Sequence, residues 1–314
     1  MVEETQTIYL GSRDNDFKTF IQCLLKKGQL KPKYIDILTD SKSMLEYGAA
    51  FTAVTADSIN NYERYEQLGD LSANKFIVSY AYNRFPQIDC TQGVKIAARL
   101  RILYGSKNSF APIADKLGFW PYISCQEDGP KEKGTEKRKK YRNNDKKALL
   151  EDTLESFIGC TENLLDKRYR PGVGYGIVYT ILSSIFDDIP MSLRYEDLFD
   201  AKTRLKETFD KYKNLGNWFY IYRREKVGDQ GFTQSIAYVY RIPLDTRDKK
   251  PIEKIDESTG IALSYPRNSW ILIGEGKASS QDDAEQKAAS IAIDRLKNEG
   301  VYKNPPEIYT YFCE

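Results

Sequence analysis

The sequence predicts a mainly helical domain over residues 1–195, a small α+β module of order α-β-β-β-α over residues 196–298, and a tail over 299–314. Three observations carry this. Apolar residues recur about every 3.6 positions from Asp16 to about Phe199, as in Phe17, Phe20, Ile21, Leu24 and Leu25, and strand signals are sparse there. Beyond residues 190–196 a helical stretch gives way to alternating segments and then to a closing helix. The chain has 314 residues, 41% of them hydrophobic, enough for one or two cores.

The strongest helix of the first part covers about residues 61–84 and stops at Phe85-Pro86, because proline cannot continue the hydrogen-bond ladder. Another covers about 147–165. Between them, residues 129–147 (GPKEKGTEKRKKYRNNDKK) are polar and lysine-rich, which predicts an exposed, mobile insertion. Its Lys137, Arg138, Lys139, Lys140 and Arg142 suit a solvated loop or an RNA backbone. The run GVGYG at 172–176 follows no strand, so it reads as a turn opening the apolar helix 177–186. In the second part, 198–212 reads as a helix, 218–223, 236–242 and 270–273 as strands, and 282–296 as the last helix. Residues 246–269 form a long connection, structured or loose.

Composition excludes whole classes of chemistry. The chain has no histidine, so Ser-His-Asp and Cys-His catalysis, His-ligated zinc and imidazole switching are ruled out. Lys+Arg 47 against Asp+Glu 45 gives a net charge of +2, which points to no partner. Five scattered cysteines, none spaced as CxxC, disfavour a disulfide framework or a structural zinc site and fit an intracellular, reducing compartment. The acidic start MVEETQTIYL reads as neither a secretory signal nor a mitochondrial presequence. The longest apolar stretch, 176–186, is about half the roughly 20 residues that span a bilayer, so no membrane partner is expected.

The chemistry sits in two acidic pairs. Glu66 and Asp70 lie four apart on the first long helix, and Asp152 and Glu155 three apart on the second, so each pair shares a helix face. Two such pairs converging in a helical core form an oxygen cage suited to Mg2+ or Mn2+, whereas without a cation they repel one another. Spacing alone does not separate this from solvated charges on amphipathic faces.

The surrounding motifs carry a resemblance. Residues 62–70, YERYEQLGD, resemble the signature helix of the ribonuclease III family, usually written NERLEFLGD. AFT at 50–52 resembles the segment before that signature, IADKLGFWPYI at 113–123 the segment between the acidic helices, and KKALLEDTLESFIG at 146–159 the second catalytic helix. The resemblance implies an all-helical endonuclease domain in which Glu66, Asp70, Asp152 and Glu155 are the catalytic metal ligands, with Glu63 and Arg64 in the outer shell or on RNA. It implies Mg2+-dependent hydrolysis of double-stranded RNA, with Mn2+ as a substitute, to 5′-phosphate and 3′-hydroxyl ends with short 3′ overhangs. It also implies a homodimer through the signature helices. Two positions depart from the pattern: Gln67 replaces the apolar residue that packs across the dimer, and Ala53 replaces a histidine. Burial at the dimer contact then falls to Tyr65 and its apolar neighbours.

DAKTRLKETF at 200–209 and WILIGEGKASSQDDAEQKAASIAIDRL at 270–296 resemble a double-stranded-RNA-binding domain, including a GxG turn at 274–276. The resemblance places RNA contacts at Lys202, Thr203, Glu207, Gln234, Lys277 and Gln281, with Glu207 on minor-groove 2′-hydroxyls. Where the family has paired lysines, this chain has Gln281 and Asp282, which reverses the charge facing a phosphate. The second reading left open is a protein that binds duplex RNA or a partner without cutting. Such proteins often lose acidic residues, and all four are present here.

Overall fold

The computed structural model describes residues 7–127, 136–227, 232–242, 255–256, 261–262 and 270–312. The chain divides into two compact units, Met1–Met191 and Ser192–Glu314.

The first unit runs β1 (Thr7–Tyr9), α1 (Asn15–Lys26), α2 (Pro32–Leu38), α3 (Ser41–Ala50), α4 (Glu63–Arg84), α5 (Val94–Tyr104), α6 (Lys107–Leu117), β2 (Cys125–Glu127), α7 (Glu136–Arg168) and α8 (Val173–Phe186). Helix α1 starts where the Asp14 carboxylate accepts from the Asp16 and Phe17 amides, and it buries Phe17, Ile21, Leu24 and Leu25 as its periodicity requires. Helix α4 ends at Arg84, before Pro86. Helix α8 opens at Gly172, whose φ of 90° suits glycine, and Asp166 accepts from the amides of Gly172 and Gly174 at 2.9 and 2.7 Å.

Two expectations change here. The segment read as a mobile insertion is helical from Glu136 onward as the first turns of α7, while residues 128–135 and the side chains up to 145 lie outside the described residues. Lys, Glu and Arg are good helix formers, so the polarity of the segment said nothing against a helix. The short antiparallel pair β1–β2 was not foreseen either, because three residues per strand leave no readable alternation.

The second unit runs α9 (Tyr195–Leu198), α10 (Ala201–Lys211), β3 (Asn217–Val227), β4 (Phe232–Ile242), β5 (Ile255–Asp256), β6 (Ile261–Ala262), β7 (Ile271–Ala278), α11 (Gln281–Asn298) and α12 (Glu307–Tyr311). The antiparallel sheet has the order β3-β4-β7, and β5 and β6 form a minimal ladder within the long connection. The sheet packs Ala237, Val239 and Ile273 against Leu205 and Phe209 of α10 and the alanine-rich face of α11, with Tyr302 of the tail in the same core. The expected GxG turn lies inside strand β7: Gly274 and Gly276 are where α11 rides on the sheet, and a Cβ at either would collide with backbone of Ala284, Ala288 or Ala292.

Candidate active site

Helices α4 and α7 touch through glycine. A Cβ on Gly69 would strike the Glu155 carbonyl, and one on Gly159 would stand 2.8 Å from the Gly69 amide nitrogen. This close crossing sets the acidic pairs face to face. Carboxylate oxygens of Glu66, Asp152 and Glu155 come within 4.8 Å of one another. Glu155 is only 6% exposed, and Glu66 and Asp152 are half-buried.

Burial raises the proton affinity of all three carboxylates, and mutual repulsion adds to it at Glu66 and Glu155. Burial first, then the charges of Asp70, Glu151, Glu66 and Asp152, push Glu155 up to about 8. Glu66 is raised by burial and then by Asp152, Glu63, Asp70 and Glu151. Asp152 is raised by burial, which the neighbouring Tyr62 hydroxyl and the charge of Lys107 oppose. An all-oxygen donor set of half-buried and buried carboxylates crowded together fits a hard divalent cation such as Mg2+ or Mn2+.

The fourth predicted ligand stands a step aside. Asp70 Oδ1 accepts from Asn74 Nδ2 at 2.6 Å, and Asn74 Oδ1 in turn accepts from Arg101 at 3.3 Å. Its carboxylate acts on Glu155 through charge, as the largest influence after burial. Glu63 is exposed on the first turn of α4. Arg64 pairs with Glu46 at 3.1 Å and lies over the Tyr65 ring. Tyr65, expected at a dimer contact, is buried inside its own unit with its hydroxyl on Glu46, because α3 packs over that face of α4. The apolar residues that α4 and the loop before it do expose are Leu68, Leu71 and Ile59.

Five of the six residues expected to meet RNA in the second unit have side-chain partners within it. Lys202 is paired with Asp282 at 3.0 Å and with Glu285, and Lys277 lies 3.4 Å from Glu275. Thr203 closes the start of α10 by donating its amide and hydroxyl to Asp200, each at 2.9 Å. Glu207 accepts from the Tyr195 hydroxyl and from Lys303 Nζ at 2.7 Å. Gln281 donates to Glu285 at 3.1 Å, and Gln234 stands on β4 opposite Glu225.

Residues 63–161, which include this crossing, match the family model described as Ribonuclease III domain. A protein of Invertebrate iridescent virus 6 named ribonuclease 3 is 36% identical over 320 residues, covering 97% of this chain and 96% of its own length. The chain belongs to the ribonuclease III family. It is an endoribonuclease by that membership. A ribonuclease 3 of Frog virus 3 is 33% identical over 275 residues, 87% of this chain and 61% of that protein. The nuclease domain of ribonuclease III from Campylobacter jejuni superposes on 55% of this chain and 99% of its own, with a TM-score of 0.38 and 22% identity.

Three neighbours of the ribonuclease III acidic group went unread in the sequence. Glu151 sits beside Asp152, and its only signal was that adjacency in LLEDTLES. Lys107, 3.5 Å from Glu151, comes from the start of α6, far away in sequence. Tyr62 opens the signature itself, yet its contact with Asp152 crosses from α4 to α7 and leaves no local trace.

Proposed function

We propose that this protein is a divalent-metal-dependent endonuclease that hydrolyses double-stranded RNA, leaving 5′-phosphate and 3′-hydroxyl ends with short 3′ overhangs. The observation that carries this reading is the convergence of the Glu66, Asp152 and Glu155 carboxylates at the α4–α7 crossing. Glu66, Asp152 and Glu155 would hold the cation, with Asp70, bonded to Asn74, as the fourth acidic residue beside them. A bound Mg2+ supplies Lewis acidity toward a phosphodiester and lowers the pKa of water, which suits a chain without histidine. Glu155, pushed up to about 8 by burial and its acidic neighbours, would have to be deprotonated to serve as a ligand.

Staggered cutting of both strands needs two such sites, and a homodimer supplies them. Leu68 and Leu71 on α4 are exposed beside Gln67 and offer the apolar area that Gln67 does not. The second unit serves duplex binding in this reading, with the cost in phosphate attraction that Asp282 imposes. Incubation with a long RNA duplex and Mg2+, followed by end mapping, tests the function. Short duplexes with 3′ overhangs are expected, and an intact duplex after prolonged incubation overturns it.

A further inference from the structure

We infer that Asn74 is a positioning residue of this site: backed by Arg101, it holds the Asp70 carboxylate beside the three converging acids. In the metal-site reading above, on which this rests, Asp70 is the fourth acidic residue.

The hold is built from three hydrogen bonds. Asn74 lies four residues beyond Asp70 on α4, so the two side chains share a helix face. Its Nδ2 donates to Asp70 Oδ1 at 2.6 Å and to the Asp70 carbonyl at 2.9 Å. Its Oδ1 accepts from Arg101 Nη1 of α5 at 3.3 Å. A side-chain amide has donors on one atom and an acceptor on the other, so a carboxylate on one side and a guanidinium on the other fix which way it points. Gly105, at the end of α5, leaves room for this arrangement: a Cβ there would stand 3.2 Å from Asn74 Oδ1 and 3.3 Å from Ile77 Cδ1. Asp70 and Asn74 are half-buried, and Arg101 is exposed.

The chemical consequence concerns freedom of rotation. The α4–α7 crossing brings Glu66, Asp152 and Glu155 together, whereas the direction of Asp70, outside that group of three, is set by a side chain. An aspartate carboxylate turns easily, and a ligand that must be ordered at each binding event binds more weakly. Asn74 occupies Oδ1 and leaves Oδ2 for a cation. The Arg101 guanidinium polarises the amide and strengthens its bond to the carboxylate. Partners that orient metal ligands in this way typically matter by about 10–100-fold in metal affinity or activity.

The test is a double-mutant cycle on the full chain, with Asn74→Ala, Asp70→Asn and both together, read by Mn2+ binding through the electron paramagnetic resonance of free Mn2+, without RNA. Alanine favours the helix, and metal-free melting reports the fold separately. Asn74→Ala is expected to weaken Mn2+ binding about 10–100-fold, and Arg101→Gln, on the exposed side of the chain of bonds, by less. The double variant should bind no more weakly than Asp70→Asn, because Asn74 acts through that carboxylate. Wild-type Mn2+ affinity in Asn74→Ala or in Asp70→Asn, or losses that add in full in the double variant, overturns the role of Asn74 and leaves the site of the other three acids standing. No Mn2+ binding by wild type overturns both.

Discussion

Replacing Gly69 by alanine tests the helix crossing that assembles the site. The new Cβ would stand 2.5 Å from the Glu155 carbonyl carbon and nearer still to its oxygen. Ordinary carbon–carbon contact begins at about 3.5 Å, so α4 and α7 must part by about 1 Å at this point. Overpacking of this kind typically costs about 1–3 kcal/mol. The shift acts directly on the carboxylates, since Glu66 and Asp70 flank Gly69 and the colliding carbonyl belongs to Glu155. A misplacement of about 1 Å can cost about 100-fold in rate. Gly69→Ala should therefore melt lower by several degrees, bind Mn2+ more weakly and cut duplex RNA about 100-fold more slowly. Gly176→Ala is the control: nothing lies within 4 Å of its added Cβ, and alanine favours a helix by about 1 kcal/mol over glycine. A Gly69→Ala protein with wild-type stability and activity would refute the claim that this contact sets the site's geometry.

Without metal, folded Glu155 keeps a proton between its ordinary value of 4.5 and about 8 that the unfolded chain has released. Its contribution to stability is therefore lost as pH rises across that window, at up to about 1.4 kcal/mol per pH unit. Melts in EDTA from pH 5 to pH 8.5 should show Glu155→Gln gaining on wild type as pH rises, and parallel curves would contradict the burial of this charge. In the second unit, Glu207→Gln should lower stability by about 1–2 kcal/mol, by weakening its bonds to Tyr195 and Lys303, with little change in duplex affinity. The reverse pattern in melting and gel-shift titrations would return Glu207 to RNA. Gln281→Lys with Asp282→Lys frees Lys202 from Asp282 and should tighten duplex binding and steepen its salt dependence, read from affinity at several salt concentrations. An unchanged affinity and salt slope would assign this face to something other than phosphate.

The helices that carry the site were legible because each states its period and its stop locally. Phe85-Pro86 closes α4, and the acidic pairs fall at i, i+4 and i, i+3 whatever surrounds them. Tertiary choices were not legible. Asp70 shares its helix face with Glu66 yet turns to Asn74, a neighbour one turn on that competes for the same carboxylate. Tyr65 reads as an available aromatic until α3 covers it. Lys202 carries the residue type expected at an RNA contact, but the acidic start of α11 that suits the helix dipole also captures its ammonium. The tail 299–314 has no periodicity to read, and it joins the core of its unit through Val301 and Tyr302, with Tyr309 on Tyr195 and Phe199.

The most direct test is cleavage of a long RNA duplex by wild type and Glu155→Gln across a Mg2+ titration, with a metal-free control in EDTA. The substitution keeps side-chain size and removes one anionic oxygen from the three that converge at the α4–α7 crossing. Wild type should cut only with metal, and Glu155→Gln should be folded and inactive at every Mg2+ concentration. Equal cutting by both proteins, or cutting by wild type in EDTA, would contradict the assignment of catalysis to this carboxylate group.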